Sequence, residues 1–206
     1  MQERSRDRAT GASGVAAFGP SQHRTGLKSP WFWLTVVLLV ASDLASKAWA
    51  FDFLESHGSP NEVGYLEYRV VDPWLRLARL ENSGTVWGLF KDGTSVLIGL
   101  RLVMVVVLCV IASRVARRHH WRLFGLGLVL GGALGNLYDN LFQANRSVRD
   151  FIDVHVPLPW RDSLYHYPTF NIADSAIVVG AILLFFAFGS DKPQAEAVPT
   201  EEATST

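Results

Sequence analysis

This chain has very little cysteine and no net charge. Among 206 residues there is one cysteine, and 19 basic residues balance 19 acidic ones. A single cysteine excludes a disulfide framework. The zero net charge gives no electrostatic reason to expect a nucleic-acid partner or an acidic ligand. The six histidines, including His155 and His166, form no set with zinc-ligand spacing, so we predict no metal.

Long apolar runs are what the sequence does contain. They cover residues 31–51, 96–115, 123–142 and 170–188. Each run is close to the ~20 residues that a helix needs to cross a hydrocarbon layer of ~30 Å. Cys109 lies in the second run, where hydrocarbon disfavours a thiolate, so we interpret it as a small apolar residue. The sequence predicts an all-α membrane protein with four transmembrane helices.

The basic residues indicate how these helices are oriented. One group lies between the second and third runs and another precedes the first: Arg114, Arg117, Arg118 and Arg122, and Arg4, Arg6, Arg8, Arg24 and Lys28. The positive-inside rule places both groups in the cytoplasm, and an even number of spans places the N and C termini there too. The longer connections, residues 52–95 and 143–169, then face outward.

Composition divides the chain into a membrane domain and two tails. Residues 1–29 and 190–206 are poor in apolar residues, and we predict that both tails are disordered in the cytoplasm. Residues 30–189 form the membrane domain. In its first outward connection, residues 65–71 and 74–80 are rich in β-branched, aromatic and leucine residues and are separated by Asp72 and Pro73. This pattern predicts a small extracytoplasmic β cradle on the outer leaflet.

Polar residues converge at the outer end of the predicted bundle. An N-in first helix places Asp43 about 18 Å along its axis, and the third and fourth helices carry polar residues at the same level. With two contributions from the loops, the set is Asp43, Lys47, Asn82, Asn136, Asp139, Asp150, Asn171 and Asp174. Because polar side chains are expensive near hydrocarbon, this convergence predicts a functional site.

Two members of this set suggest a reaction. A carboxylate near hydrocarbon costs about 2.5–3.5 kcal/mol even on the lenient insertion scale, so we expect a function for Asp174. Asp150 lies in the loop that precedes the same helix. Two carboxylates in one pocket share a proton and thereby supply an acid and a base together. Asp150 and Asp174 are therefore the candidate pair of an aspartyl hydrolase.

Several of the other polar residues have a structural interpretation as well as a functional one. Asp43 and Lys47 are four residues apart, and they form either a structural ion pair or a direct substrate contact. Asn136 and Asn171 are compatible with amide bridges between helices. Asp139 could accept a hydrogen bond from a loop backbone amide.

Two further charged residues lie near this set. We expect Asp153 to be solvated. Arg101 lies several residues inside the second span, where it either pairs with one of the acids or extends outward to the interface.

The glycines at 127, 131 and 135 recur every four residues, which favours close helix packing.

Five motifs in a fixed order give a family resemblance. They are SDLASK at 42–47, ENSGTVWG at 81–88, GGALGNLYD at 131–139, VRDFID at 148–153 and FNIADSA at 170–176. In this order the chain resembles the lipoprotein signal peptidases, the bacterial signal peptidases of type II, across about residues 33–185. Two departures stand out. Asn140 replaces the arginine that usually follows the third motif, and the second motif is bulkier at Val86 and Trp87.

The resemblance implies a membrane aspartyl protease of the bacterial cytoplasmic membrane, with its site on the extracytoplasmic side. Such an enzyme cuts the signal peptide from diacylglyceryl-modified prolipoproteins, just before the lipidated cysteine, and needs no metal or organic cofactor. The resemblance makes Asp150 and Asp174 the catalytic residues. It assigns the shaping of the pocket, in contact with substrate and membrane lipid, to Asp43, Lys47, Asn82, Gly84, Asn136 and Asn171, and we add Asp139 to this group.

Two other classes of protein also hold intramembrane polar residues. A small carrier or proton-conducting protein would spread them through the membrane as a path, whereas residues 102–112 and 124–130 here are apolar. A lipid-binding scaffold would not need paired acids. Conversion of a lipidated precursor by the purified protein distinguishes all three classes.

Overall fold

The computed structural model describes residues 25–83, 93–160 and 163–189. Four helices and five strands follow in this order: α1 Pro30–His57, β1 Ser59–Pro60, β2 Leu66–Val71, β3 Leu75–Asn82, α2 Gly93–Arg114, α3 His120–Phe142, β4 Val148–Val156, β5 Tyr165–His166 and α4 Ile172–Gly189. The predicted tails lie outside the described residues except for residues 25–29, in which Gly26–Lys28 form a 3₁₀ turn.

Three of the four helices are long and apolar enough to cross a membrane, namely α1, α2 and α4. Helix α1 begins with Pro30 at its first position, where the missing N–H costs nothing. Its 28 residues extend about 42 Å at 1.5 Å per residue, which is longer than a hydrocarbon layer. One end of α1 is therefore available to support other elements.

Helix α3 is the centre of the bundle and packs against α1, α2 and α4. Its glycines allow this close approach. A Cβ built on Gly132 would lie 2.5 Å from the backbone oxygen of Ala173, and one on Gly135 would lie 2.5 Å from a carboxylate oxygen of Asp43. The predicted glycine packing is confirmed. The neighbouring elements cover many residues of α3, and α3 is not among the three helices that are apolar enough to cross a membrane.

The strands form one antiparallel sheet in the order β1-β2-β3-β4-β5. The sequence prediction of strands at 65–71 and 74–80 is confirmed by β2 and β3. Strand β4 was not predicted, and Asp150 therefore lies in a strand and not in a loop. The register pairs Leu80 with Asp150, after an irregularity between Leu77 and Leu80. The mixed apolar and charged residues of β4 do not by themselves indicate a strand. Its pairing with β3 stabilises the extended conformation.

The sheet rests on the C-terminal end of α1. Ala50 and Phe51 of α1 pack with Phe151 of β4 in a small core. The Arg79 guanidinium lies 5.1 Å from the centre of the Phe51 ring, a cation–π contact. These contacts hold β4, and with it Asp150, at the end of the helix bundle where α1 ends.

Candidate active site

A fully buried ion network joins α1 to α3. Lys47 Nζ donates to Asp43 Oδ2 at 2.7 Å and to Asn136 Oδ1 at 2.9 Å, and it lies 3.2 Å from Asp139 Oδ2. The side chains of Lys47, Asp43 and Asp139 have no solvent exposure. Three oxygens of protein side chains thus surround the ammonium group, which supports the interpretation of Asp43 and Lys47 as a structural pair.

Asp43 also binds the beginning of α4. Its Oδ1 accepts a hydrogen bond from the backbone N–H of Ala173 at 2.9 Å. The first N–H groups of a helix have no partner inside the helix and carry a partial positive charge, so a carboxylate stabilises them. Asp43 thereby sets the position of α4 relative to α1.

Asn171 and Asp174 form a reciprocal cap at the start of α4. The Asp174 N–H donates to Asn171 Oδ1 at 2.9 Å, and the Asn171 N–H donates to Asp174 Oδ2 at 3.3 Å. This is the pattern of a capping box, with the acid three residues after the cap. The cap explains why Asn and Asp occupy these positions, and it places Asp174 in the first helical turn, as the sequence predicted.

Two mutually bonded amides connect Asp150 to Asp174. Asn171 Nδ2 donates to Asp150 Oδ1 at 2.7 Å, and Asn136 Nδ2 donates to Asp174 Oδ1 at 2.8 Å. Asn171 Nδ2 also lies 3.1 Å from Asn136 Oδ1. The two aspartates, 24 positions apart in the chain, are therefore held at one place by α3 and the start of α4.

The environment of Asp150 raises its pKa. Burial, followed by the charge of Asp174, raises the pKa of Asp150 from 3.8 to about 6. Hydrogen bonds from Asn82 and Asn171 and the charge of Lys47 oppose this rise only in part. A carboxyl group with a raised pKa beside a second carboxyl group is the arrangement expected of an acid–base pair.

Asp139 fastens β4 to α3. It accepts a hydrogen bond from the backbone N–H of Arg149 at 3.0 Å, and the Arg149 side chain binds it at 2.8 Å. The sequence interpretation of Asp139 as an acceptor for a loop amide is confirmed, although the amide belongs to a strand. Since Arg149 precedes Asp150, this contact also positions the candidate catalytic carboxyl group.

Arg101 reaches the site from α2. Its guanidinium donates to Asn140 Oδ1 and lies 3.4 Å from the backbone oxygen of Asn136. The charges of Asp174 and Asp150 also act on it. Asn140 occupies the position where an arginine was expected from the resemblance, and here a guanidinium from a neighbouring helix binds that residue. Sequence reasoning identified both residues but not their pairing.

Asp153 differs from its prediction. It was expected to be solvated, and this is wrong, because the residue is only 5% exposed. Its carboxylate contacts His155 Nε2 at 3.0 Å and His166 Nε2 at 2.5 Å. Gly84, the remaining residue of the predicted pocket, lies outside the described residues, as do Val86 and Trp87.

An open apolar cleft of about 400 Å³ borders Asp174. Asp174 and Ser175 contribute to it from α4, Val154 from β4, and Tyr167 and Phe170 from the segment between them. A cleft with one carboxylate in an otherwise apolar wall suits an apolar chain whose polar group lies next to Asp174.

Comparison with known proteins identifies the class. The family model for signal peptidase (SPase) II matches residues 35–189. The chain is 36% identical over 172 residues to the lipoprotein signal peptidase of Pseudomonas syringae pv. tomato, covering 82% of this chain and 90% of that one. The Clostridium acetobutylicum lipoprotein signal peptidase is 31% identical over 161 residues, covering 77% of this chain and 95% of that one.

The fold agrees with the match to the signal peptidase II family. A bacterial membrane enzyme solved by the in meso method at 2.3 Å superposes with a TM-score of 0.64 at 22% identity, covering 86% of this chain and 98% of that one. The helices of membrane-spanning length beneath a small sheet indicate a multi-pass membrane protein, and the family model indicates a hydrolase. The chain belongs to the signal peptidase II family, and the resemblance read from its motifs is confirmed.

Proposed function

We propose that this protein is an aspartic endopeptidase that removes the signal peptide from diacylglyceryl-modified prolipoproteins by cleaving just before the lipidated cysteine. The lipoprotein signal peptidases that it resembles support the substrate class. The observation that carries the mechanism is the connection of Asp150 to Asp174 through Asn171 and Asn136. No step requires a metal or an organic cofactor.

The surroundings of the two acids support different roles for them. Asp174 accepts from the Asn136 amide and lies in the first turn of α4, where the helix dipole favours an anion. It is the ionised partner and takes a proton from water. Asp150, whose pKa is raised to about 6, is the protonated partner and donates to the scissile carbonyl.

The reaction then proceeds without a covalent intermediate. Water loses a proton to Asp174 as its oxygen bonds to the carbonyl carbon, and the carbonyl oxygen gains the proton of Asp150, which gives a tetrahedral diol. A hydroxyl proton of the diol returns to Asp150, the C–N bond breaks, and the proton on Asp174 passes to the leaving amine. The products are the signal peptide acid and the cysteine amine, and the pair regains its starting state.

The cleft beside Asp174 suits this substrate. Its apolar walls match an apolar signal peptide or an acyl chain that approaches from the membrane. We assign the shaping of the site to Asn82, which binds Asp150, and to Asp43, Lys47, Asn136, Asp139 and Asn171, whose contacts hold β4 and the start of α4 in place. The role of Gly84 stays a prediction from the family resemblance.

The topology that we propose has four spans with both termini in the cytoplasm. Helix α3 is the fourth span, because its 23 residues are long enough and its neighbours cover it. The site then lies on the extracytoplasmic side of the bacterial cytoplasmic membrane, where exported precursors arrive.

Reporter fusions test this topology. We expect reporters placed after Thr206 or at Arg117 to behave as cytoplasmic, and one placed near Asn61 to behave as extracytoplasmic, because the positive-inside rule governs short basic loops. The opposite pattern would place the aspartates on the wrong side for an exported substrate and would contradict the proposal.

The activity itself is tested with purified protein and a synthetic diacylglyceryl-modified precursor peptide. We expect a shortened product that begins with the lipidated cysteine, together with the released signal peptide, both identified by mass spectrometry. An unmodified peptide of the same sequence is the matched control and is expected to react poorly. Absence of cleavage by well-folded protein would favour a carrier or a lipid-binding scaffold.

Removal of Asn82 should shift the pH dependence. Asn82 Nδ2 donates to Asp150 Oδ2 at 3.2 Å and thereby stabilises the carboxylate. In Asn82→Ala the pKa of Asp150 rises, so the protonated form persists to higher pH and the basic limb of kcat/KM moves upward by about 0.4–1 pH unit. Asn145→Ala is the control, since Asn145 binds Glu81. A basic limb that stays in place or moves downward would contradict the role of Asp150.

A further inference from the structure

We propose that Asp153, His155 and His166 form a binding site for one divalent transition-metal ion of the zinc type. The three side chains lie where β5 pairs with β4, and one ligand atom from each lies within 4.8 Å of the others. This site is separate from the two aspartates, it takes no part in the proposed reaction, and it goes beyond that function.

The backbone places these ligands together. Asp153 and His155 are two residues apart on β4, so their side chains point to the same side of the sheet. The register pairs His155 directly with His166 of β5. The two imidazole rings lie face to face with centres 4.9 Å apart and an angle of 23° between their planes. Because the cluster depends on this pairing, sequence spacing alone did not reveal it.

The distances suit a metal with little rearrangement. Zinc bonds of about 2.0–2.1 Å to nitrogen and oxygen place neighbouring tetrahedral ligands about 3.3 Å apart. Here the carboxylate oxygens of Asp153 lie 3.0 Å from His155 Nε2 and 2.5 Å from His166 Nε2. Modest side-chain rotations therefore open the space that the ion occupies between the three groups.

Burial and chemistry also favour such an ion. Two imidazoles and one carboxylate form the ligand set of several zinc sites that keep a fourth position for water. The Asp153 side chain is 7% exposed, that of His155 16% and that of His166 58%. The site is thus rigid on the sheet side and open on the His166 side, which gives an ion and its water access.

The neighbouring charges are already paired. Arg76 of β3 lies opposite Asp153 in the sheet, and its guanidinium binds Glu67 of β2 at 3.2 Å. Arg69 also lies within ion-pair distance of Glu67, at 3.9 Å, and of Asp72, at 3.5 Å. Among the described residues, neither arginine forms an ion pair with Asp153. The two histidines are its partners. The Asp153 carboxylate can therefore contribute its charge to the ion.

The position of the site suggests what the ion does. Asp153 follows Asp150 by three residues, and His166 precedes Asn171 by five. An ion that ties β4 to β5 braces the two segments that carry the aspartates. We therefore assign it a stabilising role, comparable to that of other structural metal sites whose binding free energy adds to folding.

Metal binding can be measured without the peptidase reaction. Full-length protein, purified in detergent with a tag that contains no histidine and treated with a chelator, is titrated with Co²⁺ and Zn²⁺. We expect one saturable equivalent, visible absorption from bound Co²⁺, and displacement by Zn²⁺. His155→Gln and His166→Gln should each weaken binding at least tenfold. His57→Gln is the matched control, because His57 binds Phe53 at the end of α1, away from the cluster.

Thermal unfolding provides the second measurement. We expect Zn²⁺ to raise the Tm of the wild-type protein and of His57→Gln, but not that of His166→Gln. Since the His166 side chain is mostly exposed, its replacement should leave the metal-free Tm close to that of the wild type. No saturable binding near one equivalent, or equal binding by the His155 and His166 variants, overturns the proposal and leaves the proposed protease function untouched.

Discussion

Asp150→Asn and Asp174→Asn should each abolish cleavage of a lipidated precursor peptide, with a loss of roughly three orders of magnitude or more in kcat. Asparagine keeps the shape of the side chain and removes the titrating proton, so neither variant can complete the cycle of proton transfers. Because the two acids act as a unit, the double variant should be little worse than either single one. The measurement is the rate of formation of the product that begins with cysteine.

Both variants should remain folded, since a neutral amide is cheaper to hold near lipid than a charge. Asp72→Asn is the control, because Asp72 lies beyond β2 with a side chain that is 57% exposed, and it should cleave normally. Substantial activity in Asp174→Asn, with yield and Tm unchanged, would refute the proposed pair. Loss in Asp72→Asn as well would point to a general defect of the preparation.

Lys47→Met should lower the stability and the yield of the protein as well as its activity. Lys47 lies between two fully buried carboxylates, Asp43 and Asp139. Methionine leaves Asp43 without its cation, while Asp139 keeps only Arg149 as a charged partner. Removal of one partner of a buried ion pair typically costs about 3–5 kcal/mol. Asp43 also caps α4 and Asp139 holds β4, so the loss spreads to both segments that carry the aspartates. Yield in membranes and Tm in detergent measure the effect.

Lys28→Met is the matched control, because Lys28 is exposed at the other end of α1. We expect it to express and melt like the wild type. If Lys47→Met keeps its yield and Tm but loses activity alone, Lys47 contacts the substrate, and the structural interpretation of the buried pair is wrong.

Much of the site could be predicted because membranes make polar residues conspicuous. Asp43, Asn136 and Asp174 stand out in apolar runs, and the length of each run sets their depth. The capping residues of α4 are also local, since Asn171 and Asp174 lie within one helical turn. The order of the motifs then identified the family, which the comparisons confirm.

Other features depend on contacts between distant segments. Strand β4 exists because it pairs with β3, and its own sequence lacks a clear alternation. The burial of Asp153 follows from that pairing, and the partner of Arg101 follows from the packing of α2 on α3. None of these could be read from residue spacing along one segment.

The sequence by itself determined the membrane class, the positions of three apolar helices, the β2–β3 pair and the identity of the polar residues, because each depends on local composition and periodicity. Only the tertiary structure decided how those residues pair. Lys47 between two carboxylates, Asp150 joined to Asp174 through two amides, and Asp153 between two histidines all depend on strand register and helix packing. These act between residues that are far apart in the chain, and so the chemistry of the site appears only after folding.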